Sequence, residues 1–484
     1  MREWLQRVGR FCGTAALALP AAPASGLTIA AGDAGAQAVV LWVQDTGPGC
    51  VLIDIRQADD DGDGQRFVVT LAAEADHTAR VPVRGLAAGA AYQWWARRVS
   101  CEPPVAPLGV AVDGRFVVPA APTAAAGVRL AFGADLAGQN ACRDRQRGFP
   151  IFGPLAAWAP AVFVALGDMI YADDPCRAQG LFGNEQVPGP GPAAHLDAFR
   201  AHWRYTRQDA GYRAFLASAL QVVTWDDHEV LDDFSPAEDF RADAPARRLL
   251  PAGRRALYEQ NPLPQDGTPL YRSLRWGRHL ELFVLDTRSH RAPAGEADNR
   301  PRPKSMLGEE QRRWLEEGLA GSTARWKVIA SPVPLAIPTG WSPASPRDGW
   351  ADGGGATGYE RELVGLLRTA ADAGVDGLVV LSADVHFASV LEHQPFPDEH
   401  PEFVVLEIVV GPLNAGLFPN PALDPTLNPR RLYWHAPPPD DTPDSFDEAL
   451  QWMNFGVLDV DGDGRLTTSI VNGRGEVVFR RRLP

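Results

Sequence analysis

Four apolar runs in this chain end directly in residues able to bind cations. Leu130-Ala131-Phe132-Gly133-Ala134 leads into Asp135, and Phe163-Val164-Ala165-Leu166-Gly167 leads into Asp168, with Tyr171 three residues on. Leu220 to Trp225 leads into Asp226-Asp227-His228-Glu229, and Val379 to Ala383 leads into Asp384, with His386 two residues further. Carboxylates, an imidazole and a phenolate gathered at one place suit one or two hard or borderline cations. Singly, each has a plainer reading: an Asp after a strand caps a helix or turn, a strand-end His hydrogen-bonds at the surface, and a Tyr packs. Four such endings in succession are hard to account for as caps.

Other signals lead nowhere. Asp59–Gly64 and Asp459–Gly464 look like openings of calcium loops, but the twelfth position of such a loop must be acidic. Counting from Asp59, Asp61 and Asp459 reaches Thr70, Ala72 and Ile470. Both stretches therefore read as Asp-Gly hairpin turns. A serine-hydrolase elbow of the Gly-x-Ser-x-Gly type is missing from the sequence, and Arg480-Arg481-Arg482 is too short for a nucleic-acid patch.

The elements that must position the acidic residues are apolar strands alternating with helical segments such as Glu309–Leu319 and Tyr359–Ala373, the pattern of an α/β domain. In an open α/β sheet, ligands bind beyond the carboxyl ends of the strands, where these residues lie. The stretch from Leu27 to Val118 reads differently. Short β-rich runs (Ala38–Val43, Val51–Ile55, Phe67–Leu71, Tyr92–Ala96) are separated by Gly, Pro and Asp clusters, which predicts a sandwich of immunoglobulin or fibronectin-III type. Pro119–Gly127 reads as a linker. The loop-rich stretch Pro334–Gly358 is long enough to suggest a functional role. Three β-like pieces close the chain: Phe455–Val460, Arg465–Ile470 and Val477–Arg480. The expected division is a leader at 1–25, the sandwich at 26–118, the linker at 119–127 and a catalytic domain at 128–484.

The 484 residues carry a formal charge of −14, which argues against adhesion to nucleic acid or anionic membranes through the global field. An anionic substrate remains compatible, because a bound cation overrides that field locally. Arg2, Arg7 and Arg10 precede the apolar run Phe11–Leu19 and the small residues Ala21–Ser25, the order of a secretory signal. This predicts export to the periplasm, cell surface or medium. No later stretch has the apolar length of a membrane span. Of five cysteines, Cys12 lies in the leader; Cys50, Cys101, Cys142 and Cys176 allow two disulfides of unassigned pairing.

The motifs Gly167-Asp168-Met169-Ile170-Tyr171, Trp225-Asp226-Asp227-His228-Glu229-Val230, Leu285-Asp286-Thr287-Arg288 and Ser382-Ala383-Asp384-Val385-His386-Phe387 resemble, in order, those of PhoD-type alkaline phosphatases. These belong to the calcineurin-like metallophosphoesterases. Ala31-Gly32-Asp33 through Trp42 resembles the entry to that family's sandwich, and Asn454–Asp459 its C-terminal strand. The resemblance implies a four-layer α/β/β/α catalytic domain with a dinuclear centre at the strand ends. It implies that Asp168 bridges two metals, that Tyr171 ligates one as phenolate, and that Asp384 and His386 complete the set. Asp227 stands where simpler relatives have the asparagine of Gly-Asn-His, with Asp232 and Asp233 as alternatives, and His228 stands where they place a phosphate-contacting histidine.

Two departures are visible. The family's first strand typically ends in a metal-binding cysteine, whereas Asp135 occupies that place and Cys142 is seven residues further along. Ala383 replaces a usual glycine, which is tolerable only at negative φ.

The resulting expectation is metal-dependent hydrolysis of phosphate monoesters, diesters or both, by a monomer holding Fe3+ and Ca2+, with Mn2+, Mg2+ and Zn2+ as alternatives. Arg288 and Arg291 are expected either to contact phosphate or to lie in a solvated loop or pair with Asp286. A diesterase of phospholipase-D-like activity with little monoesterase is the nearest alternative. A cell-envelope binding protein with a degenerate metal site is the alternative outside enzymes.

Overall fold

The apolar strands carry large side chains at odd and even positions alike, so both faces of each strand need cover. The computed structural model describes residues 26–483 except 60–61, 63, 237–244, 265–267, 295–296, 300, 302, 340–347, 354–357 and 439–441. It shows how that cover arises. One sheet has nine strands, in the order Val477–Leu483, Leu466–Asn472, Asn454–Val460, Val128–Gly133, Val162–Ala165, Leu220–Val223, Thr28–Gly35, Ala38–Gln44 and Thr78–Arg84. A second has seven, in the order Arg272–Trp276, Leu280–Val284, Trp326–Ala330, Leu378–Ser382, Val405–Val409, Ala388–His393 and Pro429–His435.

Side-chain alternation then sorts the core into layers. Leu130, Phe132, Val162 and Val164 meet Leu282, Val284, Val328 and Val379 between the sheets. The intervening residues Ala131, Phe163 and Ala165 face Phe199, Trp203 and Phe215 on helices Leu196–Arg207 and Ala210–Leu216. On the far side, Phe283, Ile329 and Val380 face Leu315, Leu319, Leu363 and Leu366 on helices Gly308–Gly321 and Glu360–Asp372. Each fully buried side chain of this kind contributes about 1.5–3 kcal/mol. The order is helix, sheet, sheet, helix, the four layers expected.

The central strands of both sheets are parallel, so their carboxyl ends emerge together.

The N-terminal β-rich region is a sandwich. Its four-stranded sheet (Gln65–Leu71, Gly49–Gln57, Ala91–Val99, Val112–Val117) packs Val51, Ile53, Trp94 and Phe116 towards Leu41, Val43, Val81 and Val83. The opposing sheet is the nine-stranded one. Thr28–Gly35 runs parallel to Leu220–Val223, with Ala31 opposite Leu220 and Gly32 opposite Gln221. A Cβ on Gly32 would lie 2.4 Å from the Gln221 carbonyl oxygen, which explains a glycine there. Backbone pairing therefore crosses the 119–127 segment, which itself hydrogen-bonds to Gly277 and Arg278 through Ala120 and Ala124.

Cys50 pairs with Cys101 and Cys142 with Cys176. The second disulfide ties the loop after Asp135 to the loop after Asp168, and it engages Cys142 elsewhere than in a metal site. The Asp-Gly stretch at 459–464 is a hairpin turn: Val460 faces Leu466 across the pair, and Asp461 accepts from the N–H groups of Asp463 and Arg465. At the other such stretch the flanking strands also pair, with Ile55 opposite Gln65, while Asp60, Asp61 and Asp63 lie outside the described residues. The leader-like segment 1–25, with Cys12, lies outside them too. Among the described residues no helix is long and apolar enough to cross a membrane.

Candidate metal centre

Five strand ends converge. Asp135 follows Val128–Gly133, Asp168 follows Val162–Ala165, Asp226 to Glu229 follow Leu220–Val223, Asp286 and Arg288 follow Leu280–Val284, and Asp384 and His386 follow Leu378–Ser382. The backbone turns sharply at the first residues beyond these strands. Asp135, Asp168, Asp384 and His386 have φ of 62°, 51°, 71° and 60°. A left-handed L-residue costs on the order of 1–3 kcal/mol, so the surrounding fold must hold these four in place. Gly167, at φ 119°, has no room for a side chain, since a Cβ would lie 2.7 Å from the Asp226 nitrogen. Ala383 is not left-handed, so its methyl group is tolerated where the resemblance implies glycine.

Asp168, Asp226, Asp227 and Asp384 each bring an oxygen within 4.8 Å of the others, and Asp168, Asp227 and His228 form an overlapping trio. Asp232 and Asp233 group with Asp227, and Asp232 Oδ1 is also 3.8 Å from His228 Nε2. In a second group, the Tyr171 hydroxyl lies 2.9 Å from His386 Nε2, which is 3.8 Å from Asp135 Oδ1. His386 Nδ1 donates to the Gly416 carbonyl at 2.7 Å, which leaves Nε2 with its lone pair towards the cluster. Burial holds this imidazole's pKa down at about 4, so it is neutral and competent as a ligand. Asp384, His228 and Asp233 keep partial exposure and Asp232 is exposed, marking the open side of the site.

The electrostatics call for cations. Burial, reinforced by neighbouring carboxylates, raises the pKa of Asp135, Asp168 and Asp384 well above the usual range. Asp135 has no exposed surface, and neither of its oxygens has a hydrogen-bond partner. A buried carboxylate without partners is strongly unfavourable, and a coordinated cation supplies what the protein does not. Asp226 Oδ2, Asp227 Oδ1 and Asn414 Oδ1 also lack a hydrogen-bond partner. The donor set of carboxylates, one imidazole and one phenol therefore fits a metal centre.

His228 and Arg288 sit among these carboxylates in different ways. His228 Nδ1 is 2.8 Å from Asp173 Oδ1. Burial opposes its charged form, but Asp173, Asp227 and Asp168 together raise its pKa well above normal. The sequence suggests phosphate contact for Arg288. Instead its guanidinium is wholly buried, with Nε 2.5 Å from Asp226 Oδ1, Nη1 2.9 Å from Asp348 Oδ1 and Nη2 3.6 Å from Asp227 Oδ1. Its backbone N–H, not its side chain, bonds Asp286. Arg291 also pairs with Asp348. Burial pushes Asp227 upward, but Arg288 and His228 outweigh it and hold the carboxyl at about 2.

A model of the PhoD-like phosphatase family matches residues 132–468. The chain belongs to that family. Alkaline phosphatase D of Bacillus subtilis (strain 168) is 30% identical over 241 residues, a match spanning 46% of this chain and 40% of that protein. A solved structure of PhoD superposes with a TM-score of 0.72 at 20% identity, covering 96% of this chain and 90% of the other. Purple acid phosphatase PPD1 from yellow lupin (Lupinus luteus) seeds follows with a TM-score of 0.57 at 12% identity, covering 95% and 74%. At these identities the two structures show a shared fold.

Within this PhoD-like phosphatase, all six residues singled out as ligands, Asp135, Asp168, Tyr171, Asp227, Asp384 and His386, gather at one place. Sequence reasoning missed Asp348, which lies in the long loop but carries no local pattern. It also missed Asn414, and gave no role to Asp173, Asp226 or Glu229. Asp286, embedded in a matched motif, organises its turn by accepting from Trp225 Nε1 and the N–H groups of Arg288 and Ser289.

Proposed function

We propose that this chain hydrolyses phosphate esters at a dinuclear centre held by Asp135, Asp168, Tyr171, Asp227, Asp384 and His386. The observation that carries the reading is the pair of unpartnered Asp135 oxygens, enclosed beside a neutral His386 and the Asp168–Asp227–Asp384 cluster. Bound cations would supply an activated water and neutralise charge on the phosphoryl oxygens. Asp168, which the family resemblance implies as the bridge, is the candidate shared by both metals. His228, kept protonated by Asp173 and partly exposed, donates a hydrogen bond to a phosphoryl oxygen or a proton to the departing alkoxide. Arg288 orients Asp226 and Asp227 from behind.

The family resemblance favours Fe3+ with Ca2+. Asp135 in place of cysteine gives a set with no sulfur, in which Mn2+, Mg2+ and Zn2+ are the alternatives. Metal analysis of the purified protein, with a monoester and a diester assayed in parallel, tests the reading. Hydrolysis of either ester that tracks metal content supports it, and a metal-free protein inert to both esters contradicts it. The two disulfides and the order of residues 1–25 support export to an oxidising compartment.

A further inference from the structure

Glu229 ends the Asp-Asp-His-Glu run, yet it faces away from the ligands it follows. It is 1% exposed. Its Oε2 accepts from the backbone N–H of Asp168 at 3.0 Å and of Asp226 at 2.9 Å, and its Oε1 accepts from the N–H of Met169 at 2.8 Å. In return Asp168 Oδ1 accepts from the N–H of His228 at 3.2 Å, and the His228 carbonyl accepts from Ala172 N–H at 2.8 Å. The loops after two neighbouring parallel strands are thus braced from both sides. They meet where Gly167 has no room for a Cβ and where Asp168 is left-handed.

We infer that Glu229 is a positioning residue: its carboxylate fixes the separation of the Asp168–Tyr171 segment from the Asp226–His228 segment, and so sets the metal-binding geometry. The inference rests on the proposed metal-dependent hydrolysis. Both oxygens accept backbone N–H groups, and Glu229 belongs to none of the acidic clusters that bring ligand atoms together. Only a carboxylate can take three donors on two oxygens here. The amide of glutamine keeps one acceptor oxygen and turns its N–H groups towards an N–H.

The test is Glu229→Gln, which preserves volume. Outer residues that orient metal ligands typically contribute about 10–100-fold in metal affinity or activity. The variant should therefore lose metal to a chelator at about ten-fold lower chelator concentration, and its kcat should fall about 10–100-fold with KM changed less than about three-fold. Its thermal midpoint, measured metal-free, should fall less than that of the metal-loaded form. Metal retention and kcat within two-fold of wild type would overturn the inference, as would equal loss of midpoint in both forms with unchanged metal affinity. A second arm reads amide exchange of the wild-type protein before and after chelation. Protection of the Asp168, Met169 and Asp226 amides should survive chelation, and free exchange there overturns the inference even if the Gln variant fails to fold. An inert, metal-free wild type with protected amides would instead count against the proposed hydrolysis alone.

Discussion

The two halves of the proposed metal centre are built on different electrostatic plans. On one side, Asp226 and Asp227 have a buried guanidinium of their own: Arg288 reaches both, and Asp348 ties Arg288 to Arg291. On the other side, Asp135 sits with Tyr171 and His386, neither of them cationic, and its oxygens have no partner. The first half is compensated in part by the fold, since Arg288 pairs with both carboxylates while Asp226 Oδ2 and Asp227 Oδ1 still lack a hydrogen-bond partner. In the second, His228 is a nearby charge that favours the Asp135 carboxylate, and it does not offset burial and the neighbouring carboxylates. In the proposed centre the second half therefore depends on bound cations more than the first.

Removing Asp168, proposed to be shared by the two metals, should have the largest effect. Asp168→Ala is expected to lose most bound metal and nearly all ester hydrolysis, and metal analysis beside an activity assay checks both. A metal-stripped, reconstituted Asp168→Ala protein with wild-type activity would break the comparison at its centre.

Arg288→Met tests the compensated half. Removing one member of a buried ion-pair network typically costs about 3–5 kcal/mol, because the remaining charges are left without a partner. Denaturant unfolding should show a loss of that size, greater after chelation, since bound cations offset part of the exposed negative charge. An equal loss with and without metal would show that the network is independent of the centre.

Asp135→Asn tests the uncompensated half and should act in opposite directions. Metal affinity should fall, while the chelated protein should become as stable as wild type or more so. The sign follows from linkage. Burial and neighbouring carboxylates raise the pKa of Asp135, so in the metal-free protein its contribution is fully present below about pH 4 and is lost as the pH rises through the raised value. Thermal midpoints of the chelated wild type should therefore drop from acid towards neutral pH, and Asp135→Asn should flatten that slope. A chelated variant less stable than wild type at neutral pH would contradict the assignment.

The smallest effect expected on the fold is the most visible in a spectrum. If the iron expectation holds, phenolate from Tyr171 bound to Fe3+ gives a visible charge-transfer band, and Tyr171→Phe should bleach it. A coloured protein unchanged by that substitution would mean another ligand set. A colourless, active, iron-free protein would reject ferric loading and leave the hydrolysis reading intact.

Legibility followed the range of the interactions. That Asp168, Tyr171, Asp227, Asp384 and His386 would lie together could be read because each sits a few residues beyond an apolar strand whose two-sided burial is written in its own residues. The layers could be read for the same reason, as alternation assigns Phe163 to one core and Val164 to another. Strand pairing across a long stretch of chain leaves no local trace. Nothing in Thr28–Gly35 shows that it lies beside Leu220–Val223, so the first sheet extends past the linker that composition marked. The direction of Arg288 depends on Asp348, a loop residue with no periodicity around it. Asn414 and Glu229 act through tertiary contacts of the same kind, and the disulfide partners were set by the approach of loops rather than by spacing.

The central claim is that the buried carboxylates are metal ligands, and anomalous scattering from crystals of freshly purified, unchelated protein tests it most directly. Two peaks are predicted, one within coordinating reach of Asp135, Tyr171 and His386 and the other of Asp227 and Asp384, with Asp168 touching both. Carboxylates that contact only water or one another, with no ion density, in a preparation that still hydrolyses phosphate esters would contradict the account.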